Sequence, residues 1–525
     1  MSYDVTIIGG GHNGLVTAAY LARSGRSVLV LERRESLGGT ASVHESPNGD
    51  EAPGCTHLVS PIHEVVKDLG LAELGLELIP LSPMTFAPLP DGRALILHQD
   101  VNSSCEEIAR FSQKDADRYA ALSSFLDRVL PPIRHLMTMT PPAARYTGVK
   151  DIWGLLGAGY QFKRLSKADQ FEVLRLAAMC TADFVGEWFD TPILRAVIAA
   201  RGLVGTMAGP WSPGTTAVLL RDAALSYPDG PTFPRGGMRR YVDALARAAR
   251  REGAEIRTGT EVTRVRIEEG TARGVELADG EYIESRLVVS NADPVRTLTS
   301  FLRPGDLMPK HMERIRNYRC RGTTAKLNLT LSEPPRYTAA SSPSQHARAC
   351  THIGPEIDYL EKAYDATKYG QYSEHPWLEV LQPTAFDPQI AGEGRHQLSI
   401  YMNFAPRHLK EGSWEDHREA LADRIVKKLA AYAPNLPGAI LERDIVTPED
   451  METRYALSGG HIQHGEPALD QLYAMRPISG FARYQTPVKN LYLCGTGTHP
   501  GGGLTGACGY NAARQIQSDW GHEIL

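Results

Sequence analysis

Between residues 3 and 32 the chain writes out one supersecondary unit that restricts its fold more than any other feature. Tyr3 to Ile8 are short, β-branched and apolar, and they run straight into Gly9, the profile of a buried parallel strand. Gly9-Gly10-Gly11-His12-Asn13-Gly14 then satisfies G-x-G-x-x-G. Leu15, Ala18, Ala19 and Ala22 recur at helical spacing, Gly25 supplies a stop, and a second apolar strand, Val28 to Leu31, ends in Glu32. Gly9 permits the tight turn, Gly11 lets a pyrophosphate approach the backbone, and Gly14 lets the helix pack close to the strand. The amides of His12 and Asn13 open the helix, where free N–H groups and the helix dipole favour a phosphate. Glu32 stands where a carboxylate accepts hydrogen bonds from ribose hydroxyls. Strand, turn, helix, strand and acid fall in register, so a dinucleotide site is expected.

With 525 residues the chain exceeds the roughly 250–300 at which single cores stop growing, so more than one domain is expected. Charged residues at 22% and hydrophobic ones at 42% exclude disordered and collagen-like classes. A net charge of -5 leaves no electrostatic footprint for nucleic acid. The cysteines Cys55, Cys105, Cys180, Cys320, Cys350, Cys494 and Cys508 form no C-x-x-C pair, which argues against a disulfide framework and a zinc site. A reduced, cytoplasmic compartment is expected, without a signal peptide, because Asp4 already lies in the first strand. No apolar run approaches the ~18 residues that span a bilayer, which leaves only shallow, peripheral membrane contact open.

After Glu32 come Arg33-Arg34-Glu35-Ser36-Leu37-Gly38-Gly39-Thr40. Here the sequence resembles the flavoprotein superfamily of amine oxidases and phytoene desaturases, which follow the acid with a basic position and a Gly-Gly pair. The resemblance implies FAD, with Gly38-Gly39 beside its pyrophosphate and Arg33 or Arg34 flanking the adenosine ribose. Many relatives carry arginine after the Gly-Gly pair, where this chain has Thr40. Near the C-terminus, Asn490 to Cys494 reads as a strand, followed by Gly495-Thr496-Gly497-Thr498-His499-Pro500-Gly501-Gly502-Gly503 and a helical run from Leu504 to Ile516. This looks like the family's closing FAD motif. It implies that Gly495, Thr496, Gly503, Leu504 and Thr505 lie along the ribityl chain and the flavin pyrimidine, where a helix N-terminus favours the charge of reduced flavin. Many relatives have an acid where Thr496 stands. Mid-chain, Pro234 to Met238, a helix from Tyr241 to Arg251 and strands to Asn291 resemble the family's return to the nucleotide domain, with Val262 bordering adenine.

Three separated segments thus build one Rossmann-type α/β domain, residues 1–85, 225–300 and 481–525. The remainder, 86–224 and 301–480, is expected to be a mixed α+β substrate domain whose first part is helical. Helices are read from Ser104 to Leu130, Lys167 to Ala182 and Trp414 to Tyr432, and strands at Thr324–Leu331, Leu378–Leu381 and Gln397–Asn403. The stretches Thr324 to Asn328, Leu457 to Ile462, Leu469 to Leu472 and Arg476-Pro477 look most like the branch that holds β-carotene ketolase-like enzymes and the pyridine nucleotide-disulfide oxidoreductase domain-containing proteins. The fingerprint is read once, so a second domain for NAD(P)H is not expected.

The leading expectation is an FAD-dependent oxidoreductase of dehydrogenase or desaturase type, moving a hydride from an apolar or amphipathic small molecule to flavin N5. Electrons then pass to oxygen, a quinone or another acceptor. An amine or amino-acid oxidase is the alternative within enzymes, with Arg201 or Arg321 as carboxylate partner. An FAD-stabilised interaction protein with little turnover is the alternative of another class. His57, in Gly54-Cys55-Thr56-His57, is the candidate to guide a proton or orient substrate. Lys326 either faces the flavin or snorkels to solvent, and His499 reads as a turn residue or flavin-edge contact. No metal ligands are proposed.

Overall fold

Val5, Ile7 and Ile8 have no polar face to offer water, so the strand Ser2–Ile8 is buried on both sides from Val5 onward. It pairs in parallel with Val28–Leu31 and with Tyr282–Ser290. The sheet runs Val262–Glu268, Thr271–Leu277, Tyr282–Ser290, Ser2–Ile8, Val28–Leu31, Glu255–Arg257, and Leu491–Leu493 joins Tyr282–Ser290 in parallel. Its parallel strands therefore bring Gly9, Glu32, Asn291 and Cys494 to one edge, where open α/β sheets take ligands. The computed structural model describes residues 2–45, 49–142, 159–160 and 162–520; residues 143–158 and 161 of the stretch read as helical lie outside them.

Helix His12–Arg23 lies on this sheet between Met238–Arg251 and Ala507–Trp520. Leu15, Val16 and Ala19 share one core with Tyr241, Leu245, Ala512 and Ile516. Two glycines make the contact close. A Cβ on Gly14 would run into the Gly9 carbonyl, and one on Gly509 would run into the carbonyl of Asn13. Gly509→Ala is therefore expected to cost about 1–3 kcal/mol of stability through overpacking, read as a lower urea midpoint. An unchanged midpoint would show that the two helices part without penalty.

The second sheet runs Ile440–Val446, Thr324–Leu331, His396–Asn403, Trp377–Leu381, Cys350–Ile353, Thr85–Pro88, Ala94–Leu97. One face is apolar: Ala325, Leu327, Leu329, Ile400 and Met402 pack under Trp414, Leu421, Ile425 and Leu429 of helix Trp414–Ala430. The other face carries Lys326, Asn328, Ser399, Tyr401, Glu379 and His352. It is polar, yet Lys326, Asn328, Ser399 and His352 are buried and Tyr401 and Glu379 half-buried.

Four sequence expectations need correction. The stretch from residue 86 does not open as helix, because the alternating residues of Thr85–Pro88 and Ala94–Leu97 pair as a hairpin on the second sheet. Ser104 to Leu130 is two helices, Val101–Ala109 and Gln113–Met137, because the Ser112 hydroxyl accepts from the Asp115 amide and starts the second afresh. The helix from Lys167 likewise ends at Ala178, and Thr181–Trp188 begins anew. The closing helix starts at Ala507, because Gly506 takes φ +72° and Thr505 Oγ1 accepts from the Ala507 amide. The G-x-G-x-x-G spacing also recurs, at Gly501, Gly503 and Gly506. No strand leads directly into that copy, so it opens a helix without making a second nucleotide domain.

Candidate active site

At the carboxyl edge of the first sheet lies a cleft of about 120 Å³. The sequence-read residues Gly9, Gly11, His12, Glu32, Arg33, Arg34, Gly39, Thr40, Val262 and Thr496 all line it. The two glycine turns abut: the Gly38 amide donates to the Gly10 carbonyl at 2.9 Å, and Gly11 bridges Gly38. Glu32 is buried and held by two backbone amides, with Oε2 accepting from Gly10 at 2.8 Å and Oε1 from Arg34 at 3.1 Å. Two of its four lone-pair positions stay open for a ligand. Arg34 lies over the ring of Tyr455 at 5.1 Å and donates to Ser42 Oγ, whereas Arg33 reaches the carbonyls of Thr453 and Arg454.

Other predicted residues stand behind the cleft. Asn13 ties the two ends of the chain together: its Nδ2 donates to Thr496 Oγ1 at 3.1 Å and its Oδ1 accepts from the Gly509 amide at 3.1 Å. Gly14 packs the helix, and Gly495 lies against the Asn291 carbonyl. Leu504 and Thr505 accept from the amides of Ser60 and Ile62, which docks the segment after His57 onto the closing motif. Gly503 has no neighbour within 4 Å of where a Cβ would stand, so its surface is open. His499 is a turn residue: its Nε2 meets the Leu136 carbonyl at 2.9 Å, its ring packs edge-on to Tyr473, and burial pushes its pKa down to about 3.

Sequence reasoning missed Asn291, Asp293, Tyr455, Leu457 and His464, which also line the cleft. Asn291 was findable as the residue ending a parallel strand. Asp293 accepts from the amides of Arg296 and Ser458, stitching that strand end to the distant 455–464 stretch. Arg476 was missed as an organiser. It is fully buried and donates to the carbonyls of Gln463, Gly465, Glu466, Gln471, Thr496 and Thr498.

The second sheet meets the first domain through residues 53–57. Lys326 Nζ donates to the Pro53 carbonyl at 2.8 Å and Tyr401 Oη to the Cys55 carbonyl at 2.5 Å. Lys326 does not snorkel, because its strand is covered on both faces. Burial pushes its pKa down to about 7. His57 is buried, with Nδ1 3.0 Å from Ser399 Oγ and its ring 4.3 Å from that of Tyr401. Burial, and then the charge of Lys326, hold it well below the usual imidazole range, so its ring is neutral at physiological pH. Burial pushes the Cys55 thiol up to about 12.

A family model described as "Flavin containing amine oxidoreductase" matches residues 14–517. The chain belongs to that family. It is 34% identical over 547 residues to the rat (Rattus norvegicus) "Pyridine nucleotide-disulfide oxidoreductase domain-containing protein 2", covering 98% of this chain and 94% of that one. It is 29% identical to a limonene dehydrogenase polypeptide of Castellaniella defragrans, covering 99% and 95%. A solved oxidoreductase from Methanosarcina mazei shares the fold, with TM-score 0.59 and 17% identity over 99% of this chain and 100% of that one.

As a member of this flavoprotein family the chain takes FAD, and the residues lining the cleft suit it. His12 Nε2 and His464 Nδ1 are buried there without a hydrogen-bond partner among the described residues, so a ligand rich in polar atoms suits the site. The described residues include no cluster able to hold a metal ion. All seven cysteines are free. No described helix is long and apolar enough to cross a membrane.

Proposed function

We propose that this oxidoreductase dehydrogenates an apolar or amphipathic small molecule, in the manner of desaturases, and passes the electrons to oxygen, a quinone or another diffusible acceptor. The observation that carries the reading is the buried polar face of the second sheet, joined through Lys326 and Tyr401 to residues 53–55 beside the nucleotide domain. A relative named for dehydrogenating limonene, a hydrocarbon, supports an apolar substrate. Bound FAD supplies the hydride acceptor, flavin N5. Gly9, Gly11, His12 and Gly39 would cradle its diphosphate with backbone amides, Glu32 and Arg34 its adenosine ribose, Val262 its adenine, and Thr496 and Gly503 to Thr505 the far end. The sheet's part is to hold a substrate C–H within about 3–3.5 Å of the acceptor and to exclude water. His57, neutral and fixed by Ser399, orients substrate rather than supplying a proton. Among family members amines are the second substrate class, favoured by the family match itself.

Anaerobic addition of terpenoids, polyenes and amines to the FAD-loaded protein tests this reading. Bleaching of the oxidised flavin bands by a terpenoid or polyene is expected. Bleaching by amines alone selects the second class, and bands that stay with every compound remove the reading.

Lys326 makes a separate pH prediction. Its folded pKa of about 7 lies below the ordinary 10.5. Between those values the unfolded chain binds the proton that the folded one refuses, so this residue makes stability rise with pH across that window. The penalty is complete below pH 7. Lys326→Met should therefore raise the urea midpoint of the FAD-free protein more at pH 6.5 than at pH 10. An equal change at both would place the ammonium in a solvated site.

A further inference from the structure

We infer that Arg201, Trp377 and Asn403 form a carboxylate-binding site at one end of the second sheet's polar face, so that the substrate is an apolar molecule bearing an acid group. The inference rests on the reading that substrate lies against this face.

Register places the groups. Lys326 pairs with Tyr401, Tyr401 with Glu379 and Glu379 with His352, one row across four strands. Side chains two apart share a face, so Trp377 joins Glu379, and Asn403 joins Tyr401. Trp377 and Asn403 are directly paired across the strands. Ala196 and Ala200 of helix Pro192–Ala200 pack with Trp377 and Phe404, which brings Arg201, the next residue, to the same end.

Each of the three side chains offers N–H donors. Trp377 Nε1 and Asn403 Nδ2 are buried and have no hydrogen-bond partner among the described residues. The Asn403 amide bears on the Glu379 carboxyl, but without the geometry of a hydrogen bond. An indole N–H can only donate, and a buried donor left alone is unfavourable unless a ligand takes it. The Arg201 side chain opens to solvent and makes no hydrogen bond or ion pair with a described residue, although its charge reaches Glu379 and His352. A planar carboxylate accepts from a guanidinium fork and still has positions for the indole and the amide. Burial holds the Glu379 carboxyl above the usual carboxylate range, against the pull of Arg201 and Asn403. His352 Nε2 is engaged by the Gly354 carbonyl at 2.9 Å, so that N–H is already used. Arg321, the other arginine considered from the sequence, acts on Glu466 instead.

Strands in a sheet lie about 4.8 Å apart, so the row from Lys326 to His352 spans roughly 14 Å. The acid group and the reacting C–H are therefore expected at opposite ends of an elongated molecule.

Calorimetric titration of the FAD-loaded protein with hexanoate, decanoate, hexadecanoate and methyl decanoate tests the site. At least one carboxylate is expected to bind, decanoate at least tenfold more tightly than its methyl ester. Arg201→Leu should weaken that carboxylate at least tenfold and leave the ester unchanged, and Arg321→Leu should change neither. Trp377→Phe, which removes only the N–H and the smaller ring, should weaken the carboxylate alone, and it decides the question if Arg201→Leu fails to fold. No binding by any carboxylate, or binding indifferent to both substitutions, overturns the site. Flavin reduction by limonene is read on the same samples. Reduction without acid preference removes this site and keeps the dehydrogenase, and acid binding through Arg201 without reduction by any compound does the reverse.

Discussion

Glu32→Ala is expected to weaken FAD binding by about 1.5–3 kcal/mol, ten- to a hundredfold and more, because the ribose loses a charged acceptor. The carboxylate does two jobs at the end of Val28–Leu31. It accepts from the Gly10 and Arg34 amides, so it ties the first glycine turn to the chain that leaves Val28–Leu31, and it lines the cleft. Glu32→Gln keeps one acceptor oxygen but presents an amide NH2, itself a donor, to one of those backbone donors, so it should fall between. FAD dissociation measured by flavin fluorescence decides the matter. Alanine protein that binds FAD as tightly as the parent would place the ribose elsewhere.

Arg476→Met should cost more than about 4 kcal/mol, enough to leave little folded protein at room temperature. Six carbonyls from residues 463–471 and 496–498 converge on this one guanidinium. Removing it leaves Glu466 with the Gln471 amide and Thr498 with the weak Cys508 thiol, and takes the guanidinium donor from Gln463, Gly465, Gln471 and Thr496, about 1–3 kcal/mol for each that water cannot reach. Lysine has three donors on a point charge and cannot span them, so Arg476→Lys should fail nearly as badly. A circular-dichroism melt checks both. A variant melting with the parent would mean that the closing turn organises itself.

How much of this was legible in the sequence depends on whether the signal was local. The Ser2–Ile8 strand, the fingerprint and Glu32 are contiguous, and local propensity and ligand geometry agree there. Thr324–Leu331 was legible from its apolar alternation. The polar row was not, since Lys326, Tyr401, Glu379 and His352 become neighbours only through strand pairing. Tyr455 and His464 reach the cleft from the chain that follows the last strand of the second sheet, and no spacing announces them. The helix breaks at Ser112 and Cys180 were missed because a helical apolar period continued across residues whose side chains cap a new helix. Arg476 was noticed only beside Pro477, and a lone arginine gives no hint that it will be buried.

Bound flavin per chain, read from the absorption spectrum after reconstitution with excess FAD and removal of the free cofactor, tests the central claim most directly. One FAD per chain is predicted, lost in Glu32→Ala under the same wash. Colourless protein, with parent and variant alike holding no flavin, would contradict the pairing of the chain's two ends around that cofactor.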